Sequence, residues 1–168
     1  MNKHNRNGFT LIEVIIVIAI LGIGLAFAIP NIMDMGVKGQ LRTAVRQLKD
    51  QMAQARITAI ETNAQTLIAF DPFVDGVITS YQIVQDADGD CEIDVGEQSR
   101  RISLSNVNIT ANNLTANDAG NLIVQWDNRG YPRRKNGSFT NGTVTFSGGG
   151  NQLQVLLSPT GNIRITTP

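Results

Sequence analysis

The chain has 168 residues, with 14 basic and 14 acidic side chains, one histidine and one cysteine. A formal net charge of zero gives no global attraction to nucleic acid or anionic lipid, so any such binding needs a local patch. One cysteine excludes an internal disulfide and every multi-cysteine metal site. The one imidazole, His4, lies so near the start that removal of a leader leaves none for acid–base catalysis.

The first element is apolar. From Phe9 to Ile29 the chain reads FTLIEVIIVIAILGIGLAFAI, 21 residues with a single charge. As a helix this run is ~31 Å long at about 1.5 Å per residue, enough to cross a bilayer core. Three readings compete for it. A secretory signal peptide would use Lys3 and Arg6 as its charged start and Ala26-Phe27-Ala28 as its cleavage site, but the run is long and holds Glu13. A plain transmembrane anchor explains the length but not Glu13. An ionised carboxylate at mid-bilayer costs roughly 2.5–3.5 kcal/mol and usually marks function.

The third reading accounts for these details. Gly8-Phe9-Thr10-Leu11-Ile12-Glu13, with the apolar run behind it, closely resembles the class III signal of type IV pilins and type II secretion pseudopilins. The resemblance implies cleavage after Gly8 by a prepilin peptidase, which also N-methylates the new terminus, Phe9. It makes Glu13 the assembly glutamate. Physically, a carboxylate among packed apolar helices needs a partner, and the α-amino group of a neighbouring subunit is a natural one. Phe9 offers that amine only after cleavage. Basic residues flank the run on both sides, with Lys3 and Arg6 before it and Lys38, Arg42 and Arg46 after it. The resemblance places the leader in the cytoplasm, one span in the inner membrane and the head in the periplasm. Gly22, Gly24 and Pro30 weaken the helix and predict a bend near Pro30.

From Gln40 to Asn63 the helical period continues. Leu41, Val45, Leu48, Met52, Ala55 and Ala59 form one apolar stripe, flanked by Arg42, Arg46, Lys49 and Arg56 as either a solvated face or a charged face that meets other filament subunits. Arg46 and Asp50 have the spacing of an i,i+4 ion pair. From Gln65 the period falls to two. Strands are predicted at Thr66–Phe70, Val77–Gln85, Ser99–Ser105, Asn121–Trp126, Thr143–Ser147, Gln152–Ser158 and Asn162–Thr166. Turns are predicted at Asp75-Gly76, Asp88-Gly89, Gly148-Gly149-Gly150 and Pro159-Thr160-Gly161, and the last three strands read as a meander.

A β-rich head without a disulfide, behind a class III signal, resembles the FimT/GspH group of minor pilins and pseudopilins. The acidic run Asp86 to Glu97 and the closing Ser-Pro-Thr-Gly-Asn-Ile-Arg164 strand support that resemblance. The expected fold class is α+β, a long N-terminal helix packed on an antiparallel β-rich head. Its expected segments are a leader (1–8), a transmembrane and assembly helix (9–35), an amphipathic second half (36–63) and the head (64–168). The resemblance implies a structural subunit that initiates or caps a type IV pilus or type II secretion pseudopilus, with other pilins or pseudopilins as partners. No nucleophile–base pair points to an enzyme, so no catalytic residue is assigned.

Two charged constellations remain. Asp86, Asp88, Asp90 and Glu97 occupy positions one, three, five and twelve of an EF-hand loop, with Asp94 at nine, which raises Ca2+ as a ligand. Against it, position six is Cys91 rather than glycine, and no helix flanks the loop. The plain alternative is an acidic solvated hairpin, with no cofactor at all. The second constellation is Arg129, Tyr131, Arg133, Arg134 and Lys135 in a loop, with Arg164 on the last strand. Phosphate neutralisation with Tyr131 stacked on a base would give weak DNA binding, the runner-up function. DNA-binding FimT proteins carry Gly-Arg-x-Arg near the C-terminus. This chain has Gly161-Asn162-Ile163-Arg164, with asparagine for the first arginine.

Overall fold

The computed structural model describes residues 10–71, 78–105, 107–112, 114–116, 118, 120–138 and 140–168, without the side chains of 26–35 and Asn112. Two compact units divide the chain at Gly36 and Val37. Helix α1, Leu11–Thr62, contributes to both. The bend expected near Pro30 falls among side chains outside the described set. The helix ends at Asn63, whose φ of 52° is the left-handed conformation that terminates helices and that asparagine tolerates.

Within the second unit, α1 buries the predicted stripe of Leu41, Val45, Leu48, Met52, Ala55 and Ala59, and adds Ala44. Steps of three and four put these on one helix face, and that face is dry because it meets two sheets. The first sheet holds β1 (Gln65–Phe70), β2 (Ser80–Asp86), β3 (Ser99–Ser103), β5 (Thr115–Ala116), β6 (Leu122–Trp126) and β7 (Pro132–Arg133). Its order is β3-β2-β1-β6-β5, with β7 also paired to β6. The second sheet runs β10-β9-β8-β4, from β4 (Asn108–Asn112), β8 (Gly142–Gly148), β9 (Asn151–Leu157) and β10 (Ile163–Thr166). Every strand pair in both sheets is antiparallel.

Alternation along β1 separates two cores. Ile68 and Phe70 face the helix with Tyr81, Val124 and Trp126, and the second sheet adds Ile109, Phe146 and Val155. Leu67 and Ala69 point to the opposite face, where Val84, Ile123 and Cys91 cover them. The fold is therefore α+β, as the sequence implies. The last three strands form the predicted meander, but β4, β5 and β7 are additions. Asn108 and Asn112 disfavour a strand locally; β4 forms because Ile109 is fully buried in the core. The predicted Asp75-Gly76 turn and the start of the strand at Val77 lie outside the described residues.

The cationic flank of α1 is only partly solvated. Arg42 and Arg46 are exposed, and Arg46 forms no ion pair with Asp50. Two long exposed side chains gain too little from pairing to offset their lost freedom. Arg56 instead is half-buried and donates from Nη1 to the Gly161 carbonyl at 3.1 Å.

Candidate functional site

The N-terminal candidates come first in the chain. Gly8 and Phe9 lie outside the described residues. Glu13 is the third residue of α1, and Thr10 precedes the helix. The Glu13 N–H donates to Thr10 Oγ1 at 3.3 Å, and the Thr10 N–H donates to Glu13 Oε2 at 3.5 Å. This reciprocal pair is a capping box, which satisfies donors the helix start leaves open. Glu13 thus has a role within its own chain. The Thr-x-x-Glu spacing before an apolar run is the signal that finds it. From Leu11 to Leu25 every side chain is exposed, on all sides of the helix. A helix that is apolar all round requires a cover of lipid or other helices. Among the described residues no helix is long and apolar enough to cross a membrane.

The acidic loop connects β2 to β3 and folds over the outer face of the first sheet. Cys91 and Ile93 pack into that face, and Cys91 Sγ donates to Gln125 Oε1 at 3.1 Å. Burial pushes the Cys91 thiol pKa up. Asp86, only 1% exposed, accepts N–H bonds from Gly89 at 2.7 Å and Cys91 at 3.1 Å. Burial raises its pKa despite those two donors. Glu97 accepts from Ala87 at 3.0 Å and Asp94 at 3.1 Å, tying the loop's two ends together. So Asp86 and Glu97 organise the turn.

Two carboxylate groups could hold a cation, Asp86 with Asp88 and Glu97, and Asp88 with Asp90 and Asp94. Their ligand atoms lie within 4.8 Å of one another. The sixth position has the left-handed backbone that an EF-hand gives to glycine, but here Cys91 adopts it at φ 70°.

The basic constellation is more tied down than its sequence suggests. Pro132–Arg133 is the short strand β7, not loop, because Asp127 closes a hairpin from β6. Asp127 Oδ1 accepts the N–H of Arg129 at 3.0 Å and of Tyr131 at 2.8 Å. Its Oδ2 holds Arg133 Nε at 2.9 Å. Burial alone would raise the Asp127 pKa, but the Tyr131 N–H, Arg133 and the Arg129 N–H together hold it below the usual range. Asp127 was not among the sequence candidates; Asp-x-x-Gly at the end of a strand is the turn signal for it.

Lys135 Nζ bridges Glu92 Oε1 at 3.0 Å and Asp118 Oδ2 at 2.7 Å, which raises its pKa. Arg134 is half-buried and its Nε lies 3.4 Å from Thr140 Oγ1. Arg129, Tyr131 and Arg164 are exposed. The structure does bring the Asp127–Gly130 turn against the Ser158–Gly161 turn. A Cβ on Gly161 would lie 3.1 Å from the Gly130 carbonyl.

Gly130 is the tightest point of this junction. Its φ is 77°, and a Cβ there would stand 2.7 Å from Ile60 Cδ1. Gly130→Ala is expected to lower stability by roughly 1–2 kcal/mol, the cost of a side chain in the left-handed region, before any clash. Urea unfolding of the two proteins checks this; equal midpoints would show that the turn relaxes freely.

Residues 3–29 match the prokaryotic N-terminal methylation motif, and residues 44–161 match the type II transport protein GspH family. The chain belongs to the GspH family. Its members' pattern therefore covers the whole first sheet, strands β4, β8 and β9 of the second, and most of the second half of α1. The chain is 28% identical to the pilin-like protein PilA1 of Thermus thermophilus over 95% of this chain and 98% of that one. Its fold is similar to that of the minor pseudopilin EpsH of the Vibrio cholerae type II secretion system, with a TM-score of 0.54 and 12% identity, covering 77% of this chain and 98% of EpsH. It is equally similar to the type IV minor pilin FimU of Pseudomonas aeruginosa, with a TM-score of 0.55 and 13% identity over 78% of this chain and 94% of FimU. This GspH-family chain is thus a pilin- or pseudopilin-type protein.

Proposed function

We propose that this chain is a minor pilin or pseudopilin that initiates or caps a type IV pilus or a type II secretion pseudopilus. The observation that carries this reading is the order of its parts, a methylation motif at residues 3–29 directly ahead of a GspH-type head. A prepilin peptidase cuts after Gly8 and methylates Phe9. The apolar part of α1 then anchors the chain once in the inner membrane, with its head in the periplasm, until it joins a filament. Glu13 supplies the carboxylate that a neighbouring subunit's Phe9 amine meets. The fold is shared by a pseudopilin and a type IV minor pilin, so either machine accommodates it.

The runner-up, a DNA-binding subunit, would rest chiefly on Arg129, Arg134 and Arg164, because Arg133 and Lys135 already hold acidic partners. That leaves a smaller cationic surface than the sequence suggests.

Processing tests the main reading. Intact-mass measurement on chain extracted from membranes is expected to give a species that starts at Phe9 and carries one added methyl. A chain that starts at Ile29, after the Ala26-Phe27-Ala28 triplet, would overturn it.

A further inference from the structure

We propose that the tip of the acidic loop of one copy docks into a groove on the side of a second copy of this chain. This rests on the assembly role proposed above. The groove, about 550 Å³, lies between the outer face of α1 and the turn leading into β10. Ala53, Ile57, Ile60 and Ile163 supply its apolar wall, and Lys49 and Arg56 its charge. Ile57 is 53% exposed and Ile60 49%, although both belong to the well-packed half of the helix. Two large aliphatic side chains left open beside each other are an unusual use of a helix surface. β10, at the edge of its sheet, borders them and carries the exposed Ile165 and Arg164. The bond from Arg56 to the Gly161 carbonyl holds that cation in place.

The loop has the complementary character. Val95 is fully exposed at 108%, with Asp94 on one side and Gly96 on the other. Asp88, Asp90 and Asp94 bring carboxylate oxygens within 4.8 Å of one another nearby. Lys135 pairs with Glu92 and Asp118 instead, so it does not neutralise this group. An aliphatic tip beside carboxylates therefore matches an aliphatic groove beside cations, in both polarity and charge. A second copy is the occupant that this complementarity selects. The two surfaces lie on different parts of the head, so the contact is heterologous. The contact is small, and anchoring both chains in one membrane or filament raises their effective concentration enough for it to form.

The test uses the full-length chain in cells that assemble it. Two differently tagged copies are co-expressed, one with Val95→Cys and one with Ile57→Cys, and the membranes are oxidised. A disulfide dimer bearing both tags is expected, with none from either variant alone. Adding Lys49→Glu to the Ile57→Cys copy should lower its yield about three- to tenfold, the scale of an exposed charge pair reversed. Asp94→Lys on the other copy should restore it. Absence of the mixed dimer, linkage of Val95→Cys only to a different protein, or a yield indifferent to the charge changes would each overturn the proposal. Filament incorporation of the wild-type chain, scored in the same cells, separates the two readings. Incorporation without the mixed dimer overturns the contact alone, whereas absence of incorporation overturns the assembly role.

Discussion

Glu13→Ala is expected to lower incorporation into filaments by roughly a hundredfold or more, while the protein still inserts and its head still folds. The head belongs to a separate compact unit that begins at Val37, so its core does not depend on residue 13. Insertion should be unharmed, since the change removes a carboxylate from an apolar run. Assembly is different. Once the helices pack, the Phe9 ammonium of a neighbour would be buried without its counter-charge. Breaking a buried pair by deleting one partner costs about 3–5 kcal/mol, and each 1.4 kcal/mol is about tenfold in an equilibrium.

Glu13→Ala also removes the capping box with Thr10, a smaller loss of about 0.5–2 kcal/mol. Glu13→Gln separates the two effects. Its amide oxygen keeps the cap but carries no charge, so it should assemble nearly as poorly as Glu13→Ala. The measurement is the amount of each variant that co-purifies with filaments, relative to its amount in membranes. Wild-type incorporation of Glu13→Gln would show that the cap, and not the ion pair, is what matters.

Asp86→Ala should destabilise the head by about 2–6 kcal/mol. Its carboxylate is buried and accepts the N–H groups of Gly89 and Cys91, and each buried donor left unpaired costs about 1–3 kcal/mol. Asp86→Asn should cost about half of that, because an amide offers one accepting oxygen in place of two. The pH dependence provides a second readout. The folded-state pKa of Asp86 lies above its ordinary 3.8, so between these values the folded chain binds more protons than the unfolded one. Its contribution to stability therefore falls as pH rises through the folded value, and is regained on acidification toward 3.8.

Asp94 acts with the same sign, chiefly because Asp90 lies beside it. Asp127 acts oppositely; its lowered pKa gives stability that is present above 3.8 and lost as pH falls through its folded value. Replacing Asp86 by asparagine should thus shift the slope of stability against pH toward higher pH, relative to the wild type. Denaturant unfolding at several pH values decides it. An unchanged slope would mean that Asp86 does not titrate in this range.

How much of the fold is legible in the sequence follows the range of the interactions involved. The apolar run, the methylation motif and the stripe from Leu41 to Ala59 are periodic or contiguous, so local order alone makes them legible. The same holds for the meander that ends the chain, where short turns pair each strand with the next one in sequence. Strand β4 is different. Its asparagines oppose a strand locally, and only pairing with β8 and burial of Ile109 make it one.

The charged segments divide in the same way. Their composition is plain in the sequence, but the state of each side chain is not. Asp86 looks like a solvated loop carboxylate until the loop folds onto the sheet and buries it. Lys135 looks free for phosphate until Glu92 and Asp118, distant in sequence, reach it. Arg56 looks solvated until the turn at Gly161 closes over it. By itself, the sequence determined the long helix, strands β1, β2, β3 and β6, the closing meander and the methylation motif at the start, because those depend on near neighbours along the chain. Only the tertiary structure decided which charges are spent inside the head and which face outward, because a carboxylate's partner is set by distance in space.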